Sequence, residues 1–447
     1  MADDDLITSA FRRFTTLGGL AGRVGASLLA SRIADVARGD VARAAHRTEV
    51  LVRNATRVAE TLGRMKGGAM KIGQMLSLHA DLLPPEVGEV LRTLQAKAPP
   101  VPAEVMEFEA RGELKRFDEL FASFEREPCA AASIGQVHRA VLRDGRAVVV
   151  KIQYPAIDQI IRADLKNLRA VFQGLFALFT DADFDPIWEE IRERLLEELD
   201  YQREADTIER MRRLHADVPE IVIPAVVREA TTTRVLTMER VEGIPPDEAC
   251  SDRYDPALHD RWGRTLFEFV FRGLFVHRLL HADPNLSNFA FLPEGRLVVY
   301  DFGCAKVVPL PIARGYARVM RAAIEGRKDE IPGILRDMGV CFADGSPLPL
   351  STTTPFVELF VDVLRPAPPY TFGSDPTIYT RLFDLGLTHA RDASQLRFPR
   401  DVVFVNRTLG GHFGNLARLR ATGCWRDLAL VYIARIEEGH ATPDPAS

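Results

Sequence analysis

The chain has 447 residues, 47% hydrophobic and 27% charged, and its 57 Lys and Arg against 62 Asp and Glu leave a formal net charge of −5. That composition excludes a collagenous, low-complexity or wholly disordered chain, and the length suits two or three folding units that need no disulfide staples. The near-balanced charge argues against nucleic-acid binding as the main task.

The five cysteines, Cys129, Cys250, Cys304, Cys341 and Cys424, are scattered and form no Cys-x-x-Cys pair. This speaks against a zinc site and for a reducing, cytoplasmic setting. The first residues, Met1-Ala2-Asp3-Asp4-Asp5, are acidic where a secretory signal is basic. The apolar run at 18–30 is interrupted by Arg23 and too short to span a bilayer, and the run at 267–280 contains Glu268, Arg272, His277 and Arg278. No transmembrane segment is expected.

Residues 1–110 read as helical, with Pro84-Pro85 and Pro99-Pro100 as breaks. Phe11, Arg12, Arg13, Phe14 and the apolar residues 17–20 form either a basic-apolar face for peripheral contact with anionic lipid or an ordinary packed helix. Residues 136–151 read as two strands joined by the turn Arg143-Asp144-Gly145-Arg146, since Asp-Gly between β-branched runs signals a hairpin. Helix is expected over 156–179 and again, unbroken, over 187–214. A strand over 233–239 leads to a hinge at 242–246. After it the chain is mostly helical except for a short apolar strand within 295–303. The Pro- and Thr-rich stretches 347–355 and 366–377 read as loops, and 441–447 as a frayed tail.

The chemistry sits after the hinge. His281-Ala282-Asp283 is followed five residues later by Asn288, and Asp301-Phe302-Gly303 follows. In kinases such an Asp orients the attacking hydroxyl, the Asn holds magnesium, and the Asp of the Asp-Phe-Gly motif bridges metal to phosphate. Phosphoryl transfer is mainly positioning and charge neutralisation, which suits hard oxygen ligands on Mg²⁺. Upstream, Lys151 closes three consecutive valines, where a kinase strand presents a lysine to the α/β-phosphates. Glu197, Glu198, Asp200 and Glu204 are candidates for its acidic partner. The segment Ala130-Ala131-Ala132-Ser133-Ile134-Gly135-Gln136 occupies the place of a nucleotide-covering loop, yet it has one glycine, and alanine blocks close backbone approach to phosphate.

On these residues the sequence resembles the UbiB/AarF (ADCK, coenzyme-Q-type) atypical kinase-like family. Lys71-Ile72-Gly73-Gln74 matches its KxGQ signature, residues 130–136 its alanine-rich loop, and Glu198-Leu199-Asp200 its ExD motif. The resemblance implies an α+β, bilobal protein-kinase-like fold. A helical KxGQ extension would occupy 1–110, an N-lobe with a helical insertion 111–243, a mainly helical C-lobe 244–440, and a tail 441–447. It implies ATP or ADP with Mg²⁺ as cofactors. Lys151 would bind the phosphates, Glu204 would hold Lys151, Asp283 would act on the acceptor, and Asn288 and Asp301 would hold the metal. Ala130, Ala131, Ala132, Ser133 and Gly135 of the loop, Glu239 and Val241 beside the hinge, and Lys71 and Gln74 would complete the nucleotide site. The expected activity is that of a Mg²⁺-dependent atypical kinase or ATPase tied to isoprenoid-quinone or lipid metabolism. The alternative is a nucleotide-binding pseudokinase scaffold that recruits partners or lipids. One departure stands out: Asn285-Leu286-Ser287 replaces the His-Pro-Gly of the family's catalytic loop.

Overall fold

The computed structural model describes residues 101–132, 134–176, 184–364, 369–375 and 396–439, with scattered helical positions between 16 and 61. Lys71, Gln74, Ser133, residues 11–14 and the tail at 441–447 lie outside the described residues. In chain order the elements used below are α1 (Ala103–Glu113), β1 (Phe121–Ala131), β2 (Gly135–Leu142), β3 (Ala147–Gln153), α2 (Ile157–Phe176), α3 (Asp185–Glu197), α4 (Tyr201–Leu214), β4 (Ile221–Val222) and β5 (Val235–Glu239). They continue with α5 (Pro256–Phe271), β6 (Leu279–His281), β7 (Phe289–Phe291), β8 (Leu297–Val299), β9 (Ala305–Val307), α6 (Leu310–Ile324), α7 (Arg400–Leu419) and α8 (Trp425–Glu437). The chain divides into two compact units, residues 1–205 with 226–240 and residues 206–225 with 241–447.

The first unit is organised by an antiparallel sheet in the order β1-β2-β3-β5. The β2–β3 turn is the expected one: Gly145 takes φ +87°, which a side chain would strain, and Asp144 Oδ1 accepts from the Arg146 backbone N–H at 3.0 Å. Val148, Val150 and Ile152 alternate into the core at 1%, 0% and 1% exposure, which sets the face on which every other residue of β3 lies. β1 goes beyond the sequence reading. It pairs with β2 from Phe121↔Leu142 to Ala131↔Gln136 through register shifts, and its largely exposed side chains conceal the alternation that marks a half-buried strand.

Two helical expectations need correction. The helix expected over 187–214 is two helices, α3 and α4, parted at 198–200. The break is held by tertiary partners: Gln153 Nε2 donates to the Leu199 carbonyl at 2.8 Å, and the Tyr201 N–H to the Thr233 carbonyl at 3.0 Å. The stretch expected as loop at 347–355 contains the start of a helix, Leu350–Val361, despite Pro355 inside it. Burial of Thr352 and Thr353, at 9% and 3% exposure, outweighs the weak helix propensity of its Thr run.

In the second unit β4 runs parallel to β8 and β7 antiparallel to it, while β6 and β9 form a separate antiparallel pair. Helix α5 starts cleanly because Asp255 caps it, accepting from the Ala257 N–H at 2.7 Å, and Pro256 needs no donor in the first turn. Its buried face carries Trp262, Phe267, Phe269 and Phe271, and with Phe289, Phe291, Phe302 and Trp425 these form an aromatic core. The β6–β9 and β7–β8 pairs stand on that core. All five cysteines are free. Among the described residues no helix is long and apolar enough to cross a membrane.

Candidate active site

In the first unit Lys151 lies mid-sheet, opposite Val137 on one side and Leu236 on the other. Its Nζ donates to both carboxylate oxygens of Glu204, at 2.9 and 3.0 Å, and the two residues are only 8% and 6% exposed. The ammonium also sits 4.9 Å from the centre of the Tyr201 ring. Of the four acids open in the sequence, Glu204 therefore holds the lysine. Glu197 accepts from Arg203 at 3.1 Å, Asp200 Oδ1 accepts the Gln202 N–H at 3.0 Å, and Glu198 is the C-cap that follows α3. The break at 198–200 is what starts α4 afresh and brings Tyr201 and Glu204 to the lysine. Taking two charges out of water is costly, and a bidentate contact of this kind is what compensates it.

The alanine-rich segment is tighter than a covering loop. Ala130 and Ala131 are strand residues paired with Val137 and Gln136, and only 132–134 lie between β1 and β2. Ala132 N–H donates to the Gly135 carbonyl at 2.9 Å. Gly135 has its own reason to be glycine: a Cβ there would stand 2.1 Å from the Ile152 carbonyl oxygen. Gln136 is fully buried and grips the backbone of Val101, accepting from its N–H at 3.1 Å and donating to its carbonyl at 3.4 Å. Glu239 is exposed at the end of β5, paired with Val148.

In the second unit Asp283 and the residues after it are set by a chain of turns. Asp283 Oδ1 accepts the Asn285 N–H at 3.0 Å, and Asn285 Oδ1 accepts the Ser287 N–H at 3.1 Å. Leu286, buried at 3% exposure, begins a single 3₁₀ turn that ends on Asn288, whose N–H donates to the Asn285 carbonyl at 3.0 Å. The departure at 285–287 thus caps itself: Asn285 supplies a side-chain acceptor and Leu286 an anchor.

Asn288 and Asp301 are linked through the backbone, since the Tyr300 N–H donates to the Asn288 carbonyl at 2.9 Å while Phe289 pairs with Val299. Asp301 Oδ1 accepts the Gly303 N–H at 3.0 Å. His281 Nε2 lies 2.6 Å from the Asp301 carbonyl, which can only accept, so Nε2 is the donor of this hydrogen bond. The Phe302 ring meets His281 edge-on at 5.5 Å. Tyr300, which the sequence reading passed over, donates its hydroxyl to the Val241 carbonyl at 2.8 Å, and burial followed by the Glu242 charge pushes its pKa up to about 12. Its one signal was its place immediately before Asp-Phe-Gly.

A magnesium ion suits this donor set. Asn288 Nδ2 is buried without a hydrogen-bond partner among the described residues, so no protein contact there fixes the orientation of the amide. One carboxylate and one amide oxygen are hard donors that leave a Mg²⁺ ion its waters and phosphate oxygens. Among the described residues no cluster of three His, Cys, Asp or Glu side chains could hold a metal.

The family model described as the ABC1 atypical kinase-like domain matches residues 93–334. The mitochondrial atypical kinase COQ8B of Rattus norvegicus is 31% identical over 427 residues, covering 94% of this chain and 80% of its own length. The mitochondrial atypical kinase coq-8 of Caenorhabditis elegans is 32% identical over 383 residues, 83% of this chain and 49% of the relative, so the chain spans about half of that protein. A solved structure of Rv3197 from Mycobacterium tuberculosis in complex with erythromycin superposes with a TM-score of 0.62 at 28% identity, covering 89% of this chain and 98% of that one. The small antiparallel sheet, the largely helical remainder and these matches agree with the α+β kinase-like fold and the UbiB/AarF resemblance read from the motifs: the chain belongs to the ABC1 atypical kinase-like family.

Proposed function

We propose that the chain binds ATP with Mg²⁺ and transfers or hydrolyses its γ-phosphoryl group. The observation that carries this reading is the buried, bidentate Lys151–Glu204 contact at 2.9 and 3.0 Å. An internal ion pair of that quality is a poor stabiliser compared with apolar packing, so it needs another purpose. Glu204 fixes the ammonium, and Lys151 then neutralises the α/β-phosphates without having to be ordered at binding. Asn288 and Asp301 would hold the metal. When bound, the ion draws negative charge from the phosphate oxygens. Asp283, its carboxylate steadied by the Asn285 N–H, orients an acceptor hydroxyl or a water. Ala130, Ala131, Ala132 and Gly135 border the nucleotide, and Glu239 and Val241 its base. On the strength of the COQ8 relatives we place the acceptor in isoprenoid-quinone or lipid metabolism.

The test is calorimetric titration with ATP in magnesium and in EDTA, alongside a phosphate-release assay. Wild type should bind ATP only with the metal, Asp301→Asn should lose that metal dependence, and Asp283→Asn should keep binding and lose turnover. Metal-dependent binding undiminished in Asp301→Asn overturns the assignment. ATP binding by wild type with no release of phosphate above the EDTA control would leave the scaffold reading instead, and release that survives unchanged in Asp283→Asn would remove Asp283 from the chemistry.

A further inference from the structure

Helix α7 lies beyond residues 93–334 of the family match, yet it touches the chain on both sides of Asp283, at Pro284 through two residues and at His281 through a third. Asn415, 6% exposed, donates its Nδ2 to the Pro284 carbonyl at 2.7 Å. Gly411, one helical turn earlier on the same face, lies against the Pro284 ring: a Cβ there would stand 2.3 Å from Pro284 Cγ and 2.6 Å from its Cβ. His412, 1% exposed, points Nε2 at the His281 carbonyl at 3.4 Å, and its ring is 5.8 Å from Phe289. Pro284 is the residue directly after Asp283, so one side chain of α7 holds its carbonyl while the missing side chain of another admits its ring.

Glycine in a helix interior costs about 1 kcal/mol relative to alanine. At Gly411 the Pro284 ring supplies the reason for accepting that cost. Asn415 is a buried amide whose contact runs to the loop backbone, not to another part of the core. Asp283 itself meets the loop through the Asn285 N–H alone among the hydrogen bonds described for it, which leaves its backbone direction to the neighbouring Pro284.

We infer that Asn415 and Gly411 are positioning residues that hold the catalytic loop, and through Pro284 aim Asp283. This inference rests on the proposed phosphoryl-transfer reading for its kinetic consequence, while the tether itself is a property of the loop. A misaimed acceptor-orienting carboxylate lowers the chemical step without weakening nucleotide binding, because the phosphate- and metal-binding side chains are other residues.

The experiment compares full-length wild type, Asn415→Asp and Gly411→Ala. Asn415→Asp keeps the shape and removes the donor. It should lower kcat about tenfold or more with KM for ATP within about twofold. Its activity relative to wild type should rise as pH falls toward the carboxyl pKa, because the protonated acid donates an O–H to the Pro284 carbonyl again. Gly411→Ala should show the kcat loss without the pH response. In parallel, hydrogen exchange should show lost protection at the Ala282 and Asn285 amides in both variants, with β2–β3 amides unchanged. Unaltered protection of 282–288 together with unaltered kcat overturns the proposal, as does a loss shared equally by β2–β3. Should wild type show no ATP turnover, the functional reading falls, and the exchange pattern at 282–288 still decides for or against the tether.

Discussion

The two units build chemistry-bearing residues by opposite means. In the first, Lys151 and Glu204 come from a strand and a helix and meet as opposite charges in a nearly closed environment. In the second, Asp283, Asn288 and Asp301 are placed by backbone turns and strand ends, with side-chain oxygens accepting from nearby N–H groups. The first arrangement is rigid and intolerant of losing either member. The second is a set of small local contacts, each modest, that are adjustable one at a time.

That contrast predicts a hierarchy of effects. Glu204→Ala and Lys151→Met each remove one member of the buried bidentate contact and should cost about 3–5 kcal/mol in urea unfolding. The double replacement Lys151→Met with Glu204→Met should cost less than the sum of the singles, and strict additivity would mean the charges do not interact. If Lys151→Met unfolds at the wild-type urea concentration, the contrast between the units collapses.

Acid should act next, and on the second unit. Burial, ahead of the neighbouring Arg272, holds His215 down at about 4, and burial followed by the His215 ring at 5.0 Å holds His277 down at about 3. Burial followed by His281 does the same to His412, at about 3. All three are depressed, so the unfolded chain binds the proton first. Stability is full above about pH 6.5 and falls as pH drops toward these values, by up to about 1.4 kcal/mol per pH unit for each histidine. Thermal melts from pH 7 to pH 4.5 should show the decline, and His215→Asn should flatten it. A melting temperature constant over that range contradicts the burial of these rings.

Gly135→Ala sharpens the comparison within the sheet. Its Cβ would meet the Ile152 carbonyl, a backbone atom that cannot rotate away, so we expect a loss of about 1–3 kcal/mol in the denaturation midpoint. The smallest effect belongs to the turns: Asn285→Ala removes the acceptor for the Ser287 N–H and should cost about 1 kcal/mol of loop stability, or about fivefold in turnover. A wild-type rate in that variant would show that the 3₁₀ turn at 286–288 holds Asn288 unaided.

Much was legible before any coordinates. Asp144-Gly145 between β-branched runs announces the hairpin, because only glycine takes the turn's positive φ without strain, and the hairpin in turn locates Lys151 on a strand. The spacing of Asp283, Asn288 and Asp301 suggested a chemistry, and the KxGQ and alanine-rich segments pointed to the family that the comparisons show. These signals are local, carried by residues close together in the chain, and local signals survive in a bare sequence.

What the tertiary structure alone decided is a matter of distant partners. Which of four acids meets Lys151 depended on a helix break stabilised by Gln153 and Thr233, which no periodicity encodes. Strand β1 exists because β2 offers it a partner, and the helix at 350–361 because its threonines are buried. The contacts of Gly411 and Asn415 with Pro284 join positions more than a hundred residues apart, so neither residue looks unusual on its own. Backbone preferences and motif spacings are written in short windows, whereas burial and hydrogen-bond partnership are settled only when the chain has closed on itself.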